Sequence, residues 1–239
     1  MASTDSGPRP RRRLRLLASQ LRGSSCSLVA TPPGLRVGAH RGAMSHAPEN
    51  TLAAFETAIA MGVYRIECDV RQTADGVLVL MHDDTVDRTT NGSGTLRDLT
   101  LQQLGELRAV AGAGGGTGSE PVPTLESALR CAKGRCKLLV ELKDTDIAEA
   151  TVTLIEACGM TADCTISTFH EDSLRVCREV SDTIGTCYFM PGSSAERGVS
   201  PAALAAELGV TLVCVVGGER LALGDPAERD AAAVSLLTH

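Results

Sequence analysis

Strand-length apolar runs alternate with helical segments along this chain, and several of those runs stop at a charged or reactive residue. The predicted strands cover 35–39, 63–70, 136–142, 164–168, 184–190 and 210–216, with a shorter one at 77–81. Between them, Pro48-Glu49-Asn50-Thr51 opens a helix to about Met61, and Thr124 caps another to about Lys133. Helices are also expected over 146–158, 171–180 and 201–208. Strands alternating with helices predict an α/β fold on a parallel sheet. Reactive residues at successive strand ends fit a TIM (β/α)8-type barrel, whose chemistry lies at the C-terminal mouth. Six barrel strands are counted, so either the barrel is incomplete or an inner strand has been skipped and 210–216 is the seventh.

The chemistry is concentrated between His40 and Asp84. Glu67 and Asp69 stand two apart on one strand, so they share a face and Cys68 takes the other. Two neighbouring carboxylates repel unless a cation or proton lies between them. Glu141, near the end of a later strand, can join them at the barrel mouth. Three hard oxygen ligands favour Mg2+ or Ca2+ over zinc. The alternative is that Glu141 pairs only with Lys143, its neighbour on the same face. His40 and His82 each follow an apolar strand and can exchange protons near neutral pH. Asp83 is placed to orient His82, and Glu49 to fix the His40-Arg41 turn, although Glu49 also suits a helix N-terminus. His46 is read as solvent-exposed.

His40-Arg41-Gly42, Pro48-Glu49-Asn50-Thr51, Glu67-x-Asp69, Asp75-Gly76 and His82-Asp83 stand in the order and spacing of the glycerophosphodiester phosphodiesterase family, which the chain resembles. The likeness is dense from Gly38 to Leu107. It thins through Pro123-Thr124-Leu125 and Glu141-Leu142-Lys143, and fades beyond Phe169. The resemblance implies a divalent cation on Glu67, Asp69 and Glu141, acid and base roles for His40 and His82, and phosphate contacts from Arg41 and Lys143. It implies hydrolysis of a glycerophosphodiester or lysophospholipid-like substrate to an alcohol and a phosphomonoester such as glycerol 3-phosphate, with water or a substrate hydroxyl as nucleophile. The C-terminal strand and end motifs of the family are missing, and its Ser-Phe after strand four reads Thr168-Phe169 here. Two alternatives follow: a truncated, weakly active or inactive relative acting as a binding or regulatory protein, and a related barrel phospholipase D-type enzyme or lyase.

Charge divides the chain. Residues 1–22 hold six Arg and one Asp, so a net charge of −6 leaves the remainder at −11. An acidic body with 2% aromatics and no Trp argues against nucleic acid as a partner. Residues 1–33 are therefore read as a basic segment, either disordered or targeting, ahead of a barrel domain at 34–239. Its arginines and leucines suit a basic amphipathic helix, as in a mitochondrial transit peptide or a membrane-surface contact. No apolar run reaches the roughly 18 residues of a transmembrane helix. Some eukaryotic members of the family are membrane-anchored, and a complete chain of this sequence would lack that anchor. Nine cysteines without a C-x-x-C pair predict reduced thiols in the cytoplasm or another reducing compartment. Residues 84–120, with the Gly-rich run at 112–118, read as a surface insertion and linker. A barrel short of strands is expected to leave edges and an apolar interior uncovered, and so to be either oligomeric or marginally stable.

Overall fold

The alternation of residues 65–72 shows how the sheet divides its two faces. In β2 (Arg65–Gln72), Ile66, Cys68 and Val70 are fully buried against helices, while Glu67 and Asp69 take the opposite face. The computed structural model describes residues 36–110, 115–116, 118–191 and 201–216. The basic head, the tail from Gly217 and part of the Gly-rich run lie outside the described residues.

Six strands pair in parallel: β1 (Gly38–His40), β2, β4 (Lys137–Leu142), β5 (Cys164–Thr168), β6 (Gly185–Pro191) and β7 (Leu212–Val216). A short β3 (Leu78–Leu80) returns antiparallel onto β2, as the Asp75-Gly76 turn signal requires. Each parallel strand pairs with the next, so no inner strand has been skipped between β1 and β7. Among the described residues the result is an incomplete α/β barrel.

Helices α1 (Leu52–Ala60), α3 (Leu125–Ala132) and α4 (Ala148–Ala157) cover one sheet face. Thr51 and Thr124 cap the first two by accepting from Ala54 N and Ser127 N. In α3, Leu125, Ala128, Leu129 and Ala132 fall on one stripe and are buried. Helices α5 (Glu171–Val180) and α6 (Pro201–Leu208) continue the layer around a second cluster with Leu174, Tyr188, Met190 and Val213.

Two expectations change. Residues 84–120 are more than a surface insertion: Val86, Leu96 and Leu104 pack with Val79 and Met81 into a small core beside the site. Burying each such side chain contributes roughly 1.5–3 kcal/mol, enough to hold the segment in place. Thr100 caps its short helix α2 (Leu101–Gly105) through a reciprocal box with Gln103. Gly116 docks on the loop after β1, donating to Met44 O at 2.7 Å. A Cβ there would lie 2.2 Å from Ala47 O, so a glycine, not a linker residue of any kind, is needed. The second change concerns the sheet face opposite the helices. Leu139, Cys187, Phe189, Leu212 and Cys214 form a buried cluster there, so part of the apolar interior is enclosed.

Candidate active site

Strand register assembles the site. His40 stands beside Glu67 across β1 and β2, and Asp69 beside Glu141 across β2 and β4. One oxygen from each of Glu67, Asp69 and Glu141 lies within 4.8 Å of the others, and all three residues are buried. The backbone after β1 is bent to meet them. Arg41 and Gly42 have φ of +54° and +86°, and a Cβ on Gly42 would stand 2.7 Å from that of Ala54. A glycine is required at that approach, and α1 can then pack against the turn.

Cations and donors surround the carboxylates. Lys143 Nζ is 2.7 Å from Glu141 Oε1 and 3.5 Å from Asp69 Oδ1. Glu141 thus takes both proposed neighbours, Lys143 and the other two acids. The Arg41 backbone N–H donates to Glu67 Oε2, and His40 Nε2 lies 3.7 Å from that same oxygen. Arg41 Nε is 3.0 Å from Asp69 Oδ2 without the alignment of a hydrogen bond, so the contact is an ion pair.

Neutralisation is incomplete. Burial, then the charges of Asp69 and Glu141, push the Glu67 carboxyl well above the ordinary carboxylate range. Glu141 is pushed up to about 7, first by burial and then by Asp69, against the pull of Lys143. Glu67 Oε1 and Asp69 Oδ1 are buried without a hydrogen-bond partner. Hard oxygens in this state fit a divalent cation.

The two histidines take different surroundings. His82 Nδ1 is 2.6 Å from Asp83 Oδ1, and Arg71 Nε donates to the His82 carbonyl. Arg71 is held in turn by Asp144 at 2.7 Å. Hydrogen bonds from Arg88, then from His82, hold Asp83 well below the ordinary range, against partial desolvation. An ionised carboxylate only accepts, so Nδ1 carries the proton and Nε2 is left to exchange one. Glu49 accepts from Arg41 Nη1 at 2.9 Å. Arg41 therefore lies buried among carboxylates. His46 is exposed, with its Nδ1 on Ser45 Oγ.

Sequence reasoning passed over two residues that the fold brings in. Asn50, with φ +56°, donates through Nδ2 to Asp69 Oδ2 at 2.8 Å and accepts from Asp69 N. Its signal was available, since Asn tolerates the left-handed region better than most residues. Arg88 binds both Asp83 and Glu49.

A parallel barrel sheet with three buried acids clustered at its strand ends defines an α/β-barrel protein with a candidate site at the C-terminal mouth. The family model for the glycerophosphoryl diester phosphodiesterase family matches residues 40–197, and the chain belongs to that family. A glycerophosphodiester phosphodiesterase of Caldanaerobacter subterraneus subsp. tengcongensis is 38% identical over 143 residues, 57% of this chain and 59% of that protein. Human glycerophosphodiester phosphodiesterase 1 is 43% identical over 108 residues, 44% of this chain and 33% of that one. The chain spans about three fifths of the length of the bacterial relatives it matches. Among solved structures, a glycerophosphodiester phosphodiesterase from Agrobacterium tumefaciens aligns with TM-score 0.68 and 29% identity, covering 84% of this chain and 85% of that one. An Oleispira antarctica phosphodiesterase, solved with the product sn-glycerol-3-phosphate, aligns at TM-score 0.70 and 24% identity over 86% and 85% of the two chains. At that identity the likeness is one of fold.

Proposed function

We propose that this chain is a divalent-cation-dependent phosphodiesterase that cleaves glycerophosphodiesters to an alcohol and glycerol 3-phosphate, the product named for the Oleispira enzyme. One observation carries the reading: three buried carboxylates within 4.8 Å, two of them with oxygens lacking hydrogen-bond partners, beside a strand-end histidine. Glu67, Asp69 and Glu141 would hold Mg2+ or Ca2+. When bound, such a cation polarises a phosphoryl oxygen and offsets developing negative charge. His82, oriented by Asp83, moves a proton at Nε2. His40, beside Glu67, serves as its counterpart across the scissile bond. Lys143 contributes a point charge toward the phosphate, and Arg41, fixed by Glu49, holds the turn that delivers its own N–H and charge.

The barrel domain is taken as 34–239. Among the described residues every cysteine is a free thiol and no helix is long and apolar enough to cross a membrane. Reduced thiols favour a reducing compartment. The basic head is retained as a membrane-surface or targeting segment.

Purified chain is assayed with Mg2+ or Ca2+ on a panel of glycerophosphodiesters, reading glycerol 3-phosphate release. Activity is expected to vanish on chelation and in Glu67→Gln. Turnover in Glu67→Gln, or in chelated protein, that equals that of the cation-loaded parent refutes the cation assignment. A second reading, a relative that binds a cation without turnover, rests on the same three acids. Cation binding without hydrolysis of any diester supports it.

A further inference from the structure

Glu49 and Asp83 sit on different loops, one after β1 and one after β3, and a single side chain joins them. Arg88 Nη1 and Nη2 donate to the two Glu49 oxygens at 3.1 and 2.9 Å. Its Nε donates to Asp83 Oδ2 at 2.6 Å, and Nη2 also reaches Asp83 Oδ1 at 3.0 Å. Beyond Asp83 lies His82 Nδ1; beyond Glu49 lies Arg41. A continuous path therefore runs from His82 through Asp83, Arg88 and Glu49 to Arg41.

The backbone that carries Arg88 is fastened. Val86 is fully buried in the small core, and its N–H donates to Gly94 O. Thr90 N and Oγ1 both donate to Val86 O, closing the turn around position 88. Only a planar fork with several fixed N–H directions can serve two carboxylates at these distances; an ammonium is a point charge.

The geometry points to Arg88 as a positioning residue that locks Asp83 and Glu49 to one another, and so sets the orientation and tautomer of the His82 imidazole relative to the Arg41 turn. Its meaning for turnover rests on the phosphodiesterase reading above. Arg88 is itself 39% exposed in its side chain. Solvent screens its ion pairs, and melting is expected to move little on its removal. Orientation of His82 is where the loss should appear.

Two readouts test this. The first needs no substrate: 15N shifts of the His82 imidazole, recorded above its titration range. The parent should hold the Nδ1–H tautomer, and Arg88→Ala should populate both; an unchanged tautomer overturns the proposal. The second is steady-state kinetics. Arg88→Ala should lower kcat roughly 10- to 100-fold, the scale for groups that orient a functional histidine, with KM nearly unchanged. Adding Arg88→Ala to Asp83→Asn should cost little more than Asp83→Asn alone, because the two act as one unit. Fully additive losses, or a change confined to KM, overturn it. Arg88→Lys keeps the charge and guards against a folding defect: parent-like kcat and tautomer in that variant refute the need for the fork. A parent that turns over no diester refutes the phosphodiesterase reading, while the imidazole spectrum still decides whether Arg88 orients His82.

Discussion

Removing divalent cations should invert the usual pH dependence of this protein's stability. Glu141 moves from an ordinary 4.5 to about 7 in the folded chain. Between those values the folded state holds a proton that the unfolded state has released. Stability therefore falls as pH rises through this window. The cost once Glu141 is ionised is about 3 kcal/mol, and Glu67 pushes in the same direction. For a chain of this size 3 kcal/mol corresponds to a melting shift on the order of 6–12 °C. Glu56 lies on the other side: its carboxyl is lowered to about 2, chiefly by its hydrogen bond from Arg135, so its contribution is lost only as pH falls below 4.5. The two effects do not overlap. Calorimetric melts in chelator from pH 4.5 to 8 should show the decline, and millimolar Mg2+ or Ca2+ should flatten it. Glu141→Gln removes the titrating group while keeping the shape. It should melt higher than the chelated parent at pH 8 and gain little from the cation. A chelated parent whose melting point is flat or rising from pH 5 to 7 would refute the argument, as would a Glu141→Gln protein with the parental slope.

His40→Ala and His82→Ala should each lower kcat by roughly 10²-fold, while His46→Ala stays near the parent; a larger loss at His46 in the same assay would move the site. Asn50→Asp replaces a donor at 2.8 Å from Asp69 with a fourth carboxylate. Cation-free stability should fall by on the order of 1–3 kcal/mol, read as a lower melting temperature, and a parent-like melt would remove Asn50 from the support of Asp69. Gly42→Ala sets a Cβ against Ala54 at a positive φ. Strain of this kind costs about 1–3 kcal/mol before the clash, so soluble yield should drop; a well-folded Gly42→Ala protein with full activity would show that the turn can give way.

Much of the frame is legible in the sequence because two periodicities carry it. Alternation marks β2, and the strand 164–168 and helices 171–180 and 201–208 fall where the patterns put them. Thr51 and Thr124 announce helix starts through cap chemistry that is local in sequence. What was not legible depends on long-range pairing. Val86, Leu96 and Leu104 are separated by ten and eight residues in a polar stretch, so no period marks them as core. Arg88 looks like a solvated charge until the fold brings Glu49, 39 positions away, within reach. The three acids could be grouped because strand ends share one rim. Their raised protonation could not, since it depends on how deeply each is enclosed.

The candidate residues occupy one edge of the sheet. His40 and Arg41 follow from β1, Glu67 and Asp69 lie in β2, His82 and Asp83 follow β3, and Glu141 and Lys143 come at the end of β4. Their relative placement is set by the β1–β2 and β2–β4 registers, whose hydrogen bonds fix each Cα partner. Strands β5 to β7 enter differently. Leu139 alternates with Glu141 along β4, and its apolar cluster with Cys187, Phe189, Leu212 and Cys214 supports the acids on their own sheet face. A one-residue slip of β4 would exchange these faces, burying Val140 where Glu141 stands and turning the acid toward the helices. The apolar cluster therefore does more than stabilise the fold: by making that slip expensive, it holds the third carboxylate beside the other two.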